Sequence, residues 1–141
     1  MSETDFADKE VIDIGCGSGI LSIRASELGA KHIVALDNDS RAVNNTKENA
    51  ERNGITNIKA IWLDFMESDL NADIILANLP RETAQFCMLK IKRSLNSGGT
   101  LITSWFNELP KDYLLADMTI INRYNGIYYD TYVLKKKGTI T

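Results

Sequence analysis

The sequence predicts an α/β protein, a mostly parallel sheet covered by helices, and three observations carry that expectation. Short apolar runs rich in β-branched residues alternate with longer amphipathic stretches along the 141 residues, the rhythm of strands joined through helices. The first run, Val11 to Ile14, passes directly into Gly15, Gly17 and Gly19, the composition of a strand-to-helix turn. Near the C-terminus Asn125-Gly126 separates two β-rich runs, a hairpin signal that makes the last strand antiparallel to the rest.

Taken in order, the first strand is Val11 to Ile14. A helix follows from about Ile20 to Leu28, with Leu21, Ala25 and Leu28 on one face and Gly29 as its C-terminal cap. The second strand, Ile33 to Leu36, leads through Asp39-Ser40 as an N-cap into a helix buried along Val43, Thr46 and Ala50 and stopped at Asn53-Gly54. Strand three is Ile58 to Leu63. Strand four, Ile74 to Ala77, ends at Asn78-Leu79-Pro80, and the next helix buries Ala84, Cys87, Met88, Ile91 and Leu95 until Ser97-Gly98-Gly99 breaks it. Strand five is Leu101 to Trp105. A short helix around Asp112 to Ala116, a strand from Thr119 to Tyr124, the Asn125-Gly126 turn and a final strand from Ile127 to Leu134 complete seven strands.

Composition sets limits on function. With 44% apolar and 25% charged residues the chain reads as one globular domain, residues 1–141, large enough to bury a core without staples. Cys16 and Cys87 are far apart, with a single histidine and no C-x-x-C, so neither a metal site nor a disulfide framework is expected. A net charge of −3 gives no general attraction to nucleic acid. The polar, acidic N-terminus and the lack of a long apolar run point to a cytoplasmic protein with no membrane segment.

The chemistry concentrates in Asp13-Ile14-Gly15-Cys16-Gly17-Ser18-Gly19. Glycines allow the backbone to approach a ligand closely, because no Cβ intrudes. The spacing is G-x-G-x-G, whereas the dinucleotide fingerprint G-x-G-x-x-G would need a glycine at Ile20, which counts against NAD. The second strand ends at Asp37, 22 residues after Gly15, the separation at which a carboxylate accepts from ribose hydroxyls in open α/β sheets. Asp37 by itself also reads as a turn cap.

These residues resemble class I S-adenosylmethionine-dependent methyltransferases, whose glycine loop is written D-x-G-x-G-x-G; Asp13 through Gly19 match it in full. The stretch Val11 through Gly54, with G-S-G-I-L-S-I, L-G-A-K, the strand ending in Asp37 and E-N-A-E-R-N-G, is similar to the catalytic domain of ribosomal large-subunit stalk-protein methyltransferases. It is less similar to protein arginine methyltransferases. The resemblance implies a Rossmann-like seven-stranded sheet in the order 3-2-1-4-5-7-6, strand seven antiparallel, with helices on both faces. It also implies S-adenosylmethionine as cofactor. Gly15, Cys16, Gly17, Ser18 and Gly19 would lie against the methionine part, Asp13 would reach its amino group, and Asp37 would hold the ribose. Asn38 and the pair Asp64-Phe65 would border the adenine, Asp64 accepting from its amine and Phe65 packing on the ring. The same pair reads equally as a turn carboxylate beside a core aromatic.

Asn78-Leu79-Pro80-Arg81 follows strand four, at the sheet edge where ligands bind in such folds. In amino-methylating relatives this segment is commonly Asn or Asp, Pro, Pro and an aromatic; here the asparagine and one proline remain, which favours a flexible amine or another acceptor over a planar amine. Asn78, Leu79 and Pro80 are therefore the candidate catalytic residues, Asn78 also bordering the cofactor. Arg81 reads either as a partner for an acidic substrate or as an exposed residue before a helix. Trp105-Phe106 wall the acceptor pocket or belong to the core. His32 lies at the remote edge, Cys16 and Cys87 are buried fillers, and Lys135-Lys136-Lys137 is a solvated tail.

The reading is methyl transfer to an acceptor the sequence does not name, a protein or small-molecule amine. Its alternatives are a non-catalytic cofactor-binding subunit and, further off, a nicotinamide-dependent oxidoreductase. Met1 to Glu10 holds Phe6 as its one large apolar side chain besides Met1, so the lid helices usual in this family have no counterpart there. The acceptor side is expected to be open, completed by a second chain, by the substrate or by a further segment.

Overall fold

The computed structural model describes residues 4–105, 117–127 and 130–138. In chain order the elements are β1 (Glu10–Ile14), α1 (Ile20–Glu27), β2 (His32–Asp37), α2 (Ser40–Arg52), β3 (Ile58–Trp62), a 3-10 turn (Phe65–Glu67), β4 (Ala72–Ala77), α3 (Arg81–Ser94), β5 (Leu95–Trp105), β6 (Met118–Tyr124) and β7 (Asp130–Lys136). The strand order is β3-β2-β1-β4-β5-β7-β6, with β7 antiparallel to β5 and β6. This is the expected fold class. The short helix expected near Asp112 to Ala116, and Phe106, fall outside the described residues. Two compact units divide the chain, Met1–Asp69 and Leu70–Thr141.

In the first unit β2 pairs in parallel with β1 and β3, from Glu10 opposite His32 and Ile33 opposite Ile58 to Asp37 opposite Trp62. Val11 to Ile14 are buried without alternation, as in strands covered on both faces. Helix α2 follows the sequence closely: Asp39 caps it through Arg41 N–H, Val43, Thr46 and Ala50 are its buried residues, and it stops at Asn53. Helix α1 departs from expectation. Its buried residues are Ser22 and Ala25, while Leu21 and Leu28 are half-buried. Apolar periodicity missed Ser22 because a polar partner, not an apolar one, makes its burial acceptable. The helix closes as expected at Gly29, which takes a φ of 98° while Ala30 N–H returns to the Ala25 carbonyl at 3.1 Å. Phe6 is fully buried, and Asp8 N–H donates to Gly29 O at 3.0 Å, so the segment before β1 docks against this unit.

The second unit holds β4-β5-β7-β6 and α3, whose buried side is Ala84, Cys87, Met88, Ile91 and Ser94. Leu95 is buried as expected but already belongs to β5, opposite Ala72. The ladder then skips to Ile74 opposite Thr100, and Asn96 to Gly99 bulge between them. Gly99 is required there, because a Cβ would stand 2.8 Å from the Asn96 carbonyl and 3.0 Å from that of Asp73. The glycines thus interrupt a strand rather than precede one.

Two expectations at the C-terminus are corrected. The last strand begins at Asp130, not Ile127, and the ladder closes with Tyr124 opposite Thr131. A side chain fastens this connection: the Asp130 carboxylate accepts from the Arg123 guanidinium and from Gly126 N–H, and Arg123 holds its pKa below the usual range. Lys136 is no free tail residue. Its ammonium donates to the carbonyls of Lys92 and Leu95 at 2.6 and 2.9 Å, satisfying the C-terminal end of α3.

Candidate functional site

The glycine turn between β1 and α1 is built from both sides. Gly15, Gly17 and Gly19 take φ values of 70°, 54° and 84°, a left-handed series that side chains resist. Gly15 and Cys16 N–H donate to the Leu36 carbonyl at 2.8 and 3.0 Å, which hangs the turn on the end of β2. Gly17 N–H donates to Asp37 Oδ2 at 3.2 Å, and Asp39 N–H to Asp37 Oδ1 at 2.9 Å. The turn and the strand-end carboxylate, separate motifs in the sequence, are therefore one hydrogen-bonded unit. Each oxygen of Asp37 retains acceptor capacity for an outside hydroxyl.

Helix α2 braces the turn from below, through residues the sequence reading did not assign to the site. The Thr46 hydroxyl, fully buried, donates to Gly17 O at 3.1 Å and approaches Cys16 Sγ at 3.3 Å. Asn49 Nδ2 donates to Ser18 O at 2.8 Å. Thr46 and Asn49 stand three apart on one helix face, so spacing held the signal, but a hydroxyl inside an apolar stripe reads as filler until its partner is known.

Asp13 is 1% exposed at the end of β1. Its Oδ2 accepts from Ser22 Oγ at 2.7 Å. Among the described residues, Oδ1 is the buried side-chain polar atom without a partner, an expensive arrangement for a carboxylate unless a ligand supplies the donor. Burial pushes the carboxyl pKa up from 3.8 to about 6, the Ser22 hydroxyl and backbone amide oppose that rise, and the charge of Asp37 adds to it. The folded chain therefore holds a proton between these values that the unfolded chain releases, and stability falls as pH rises through this window. Asp13→Asn is expected to flatten that fall; urea midpoints of both proteins at pH 4 and pH 7 measure it.

Around Asp37 the structure places the remaining candidates of the first unit. Asn38 is exposed, and its carbonyl accepts from Trp62 Nε1 at 3.0 Å. Trp62, 68% exposed and opposite Asp37 in register, was read from the sequence only as part of a strand. Asp64 is exposed and caps the 3-10 turn through Met66 N–H at 2.9 Å, while Phe65 is 4% exposed. His32 is exposed and lies 3.0 Å from Glu10 at the opposite end of β2.

The second unit carries the other candidates. Asn78 is exposed just beyond β4, whose last carbonyl, Ala77 O, accepts from Thr103 Oγ1 at 2.8 Å. Leu79 is half-buried, and Pro80 forms the N-cap of α3 with Ala84 N–H on its carbonyl. Arg81 is exposed at the first position of that helix. Pro80 restricts the backbone of Leu79, the residue directly before it.

The family model described as PrmA, Ribosomal protein L11 methyltransferase, matches residues 1–108. The chain belongs to this family. A PrmA relative from Shewanella sediminis (strain HAW-EB3), "Ribosomal protein L11 methyltransferase", is 44% identical over 109 residues, which cover 74% of this chain and 36% of that protein. The PrmA-family chain thus spans about a third of the length of the curated relatives it matches. Among solved structures, the ribosomal protein L11 methylase from Lactobacillus delbrueckii subsp. bulgaricus is 30% identical with a TM-score of 0.84, covering 92% of this chain and 70% of that one. An RNA methyltransferase from Salinibacter ruber in complex with S-adenosyl-L-homocysteine is 18% identical and shares the fold, with a TM-score of 0.81 over 97% of this chain and 87% of its own. In this PrmA-family chain no described helix is long and apolar enough to cross a membrane, and no described cluster of His, Cys, Asp and Glu has the grouping of a metal site.

Proposed function

We propose that this chain binds S-adenosylmethionine through its first unit and transfers the methyl group to an amine of ribosomal protein L11. The observation that carries the reading is the joining of Gly17 to Asp37 beside a buried, unpartnered Asp13 oxygen, within a chain of the PrmA family. These groups fit the cofactor: an unpaired buried carboxylate oxygen matches an ammonium, and the acceptors of Asp37 match ribose hydroxyls. Gly15, Cys16, Gly17, Ser18 and Gly19 lie along the methionine part. Asn38 and Asp64 border the adenine, while Phe65, 4% exposed, fits the core-aromatic reading better than packing on the ring. When bound, the cofactor supplies a methyl group already activated on a sulfonium.

The protein's work is then positioning rather than acid–base chemistry. Asn78 and the Leu79 carbonyl accept hydrogen bonds from the acceptor amine and aim its lone pair, while Pro80 restricts the Leu79 backbone. Orientation of this kind is worth several kcal/mol, on the order of 7–11 in well-aligned systems. A lysine amine must first lose its proton, which desolvation and a neighbouring positive charge both favour. The relatives' name supplies the acceptor, and the missing aromatic after Pro80 agrees with a flexible amine.

Calorimetry with S-adenosylhomocysteine and with NAD tests the first half of the reading: binding of the former alone supports it, and binding of NAD alone overturns it. Mass spectrometry of purified L11 incubated with labelled donor and this chain tests the second. Asn78→Ala is expected to lower turnover while cofactor affinity stays within about threefold; a parallel loss of cofactor affinity would move Asn78 out of the acceptor site. Cofactor binding with no methylation of L11 or of any protein in an extract would favour the non-catalytic subunit reading.

A further inference from the structure

Ser22 is fully buried at the third position of α1, where an alanine would pack as well and bring no polar group to bury. Its hydroxyl is occupied by Asp13 Oδ2 at 2.7 Å. The other oxygen of the same carboxylate is left without a partner, so Ser22 defines the orientation of the whole group. We propose that Ser22 is a positioning residue for donor binding: by holding Oδ2 it keeps Asp13 oriented and anionic, with Oδ1 ready for the ammonium of the methionine moiety. This inference rests on the cofactor reading above and adds to it a residue and a proton linkage.

The surroundings explain why Asp13 needs such a partner. It pairs in register with Ala35 on β2, whose nearby charge is Asp37, an anion that opposes ionisation of Asp13. The turn contributes the Cys16 thiol, itself pushed up by burial and by both carboxylates. Helix α1 contributes Ser22; its charged residues Arg24 and Glu27 are exposed and paired with each other at 3.3 Å. No cation on these elements stabilises the carboxylate, and the groups that favour its charged form are the hydroxyl and amide of Ser22. Removing the hydroxyl raises the pH at which Asp13 takes up a proton, and a neutral carboxyl no longer attracts an ammonium.

Titration calorimetry with S-adenosylhomocysteine at pH 6 and pH 8, on wild type, Ser22→Ala and Ser22→Thr, decides the matter. Both variants are first compared with wild type by circular dichroism. Ser22→Ala is expected to bind about fivefold more weakly than wild type at pH 6, where moving the titration of Asp13 upward from about 6 by about one pH unit lowers its anionic fraction from about a half to about a tenth, and within about twofold of it at pH 8. Ser22→Thr, which retains a hydroxyl, restores the pH 6 affinity. Titration of the ligand's own amino group affects all three proteins alike and cancels in the ratio. Equal losses at the two pH values would reduce Ser22 to a packing role and overturn the proposal, as would no loss at either. Failure of wild type to bind at any pH would overturn the cofactor reading, and this inference with it, whereas wild-type binding with a flat Ser22→Ala ratio removes Ser22 alone.

Discussion

Asp37→Ala is expected to weaken S-adenosylhomocysteine binding ten- to over a hundredfold, the loss of about 1.5–3 kcal/mol that accompanies removal of hydrogen bonds to a charged group. Two losses combine in this variant. The ribose hydroxyls lose their acceptor, and the turn loses the tie from Gly17 N–H at 3.2 Å as well as the Asp39 N–H bond at 2.9 Å. Calorimetry on a variant shown to be folded measures the effect, and an unchanged affinity would take Asp37 out of the site. Asp37→Asn separates the parts: it retains one acceptor oxygen, so its loss is expected to be smaller than that of alanine.

Gly19→Ala is expected to cost about 2–5 kcal/mol of stability, from two sources that add. A φ of 84° imposes about 1–2 kcal/mol on any residue with a Cβ. The new Cβ would also stand 2.8 Å from Thr46 Cγ2 and 3.0 Å from Thr46 Oγ1, an overpacking of about 1–3 kcal/mol. Gly17→Ala is the control, since its φ of 54° carries the first cost while a Cβ there meets nothing within 4 Å. Urea denaturation of the two variants should place Gly19→Ala clearly below Gly17→Ala; equal midpoints would mean that Thr46 gives way. Because Thr46 also donates to Gly17 O, its displacement would loosen the binding turn as well as the core.

Much of this was legible in the chain before any coordinates. The buried stripe Val43, Thr46 and Ala50, the Asp39 cap and the Gly29 stop were read correctly, because each depends on local spacing or on one residue's backbone preference. The errors share a different origin. Leu21 was placed in the core of α1 where Ser22 sits, the last strand was begun at Ile127 where Asp130 fastens the connection, and Lys136 was assigned to solvent where it caps α3. In each case a polar side chain found a partner that the apolar pattern does not register, from four residues away for Asp130 and Gly126 to 44 for Lys136 and Lys92.

The candidate site divides along the same line. Sequence alone determined the strand order through its family likeness, the glycine turn through its spacing, and Asp13 and Asp37 as the acidic residues beside it, since motif and periodicity are properties of neighbouring residues. Only the tertiary structure decided that Asp37 and Gly17 are bonded to each other, that Thr46 and Asn49 hold the carbonyls of the turn, and that Ser22 occupies one oxygen of Asp13 and leaves the other unpaired. A hydrogen bond across 9 to 31 residues exists only once the strands and helices have packed, because its strength depends on a few tenths of an ångström and on exclusion of water, and neither is encoded in the order of the residues.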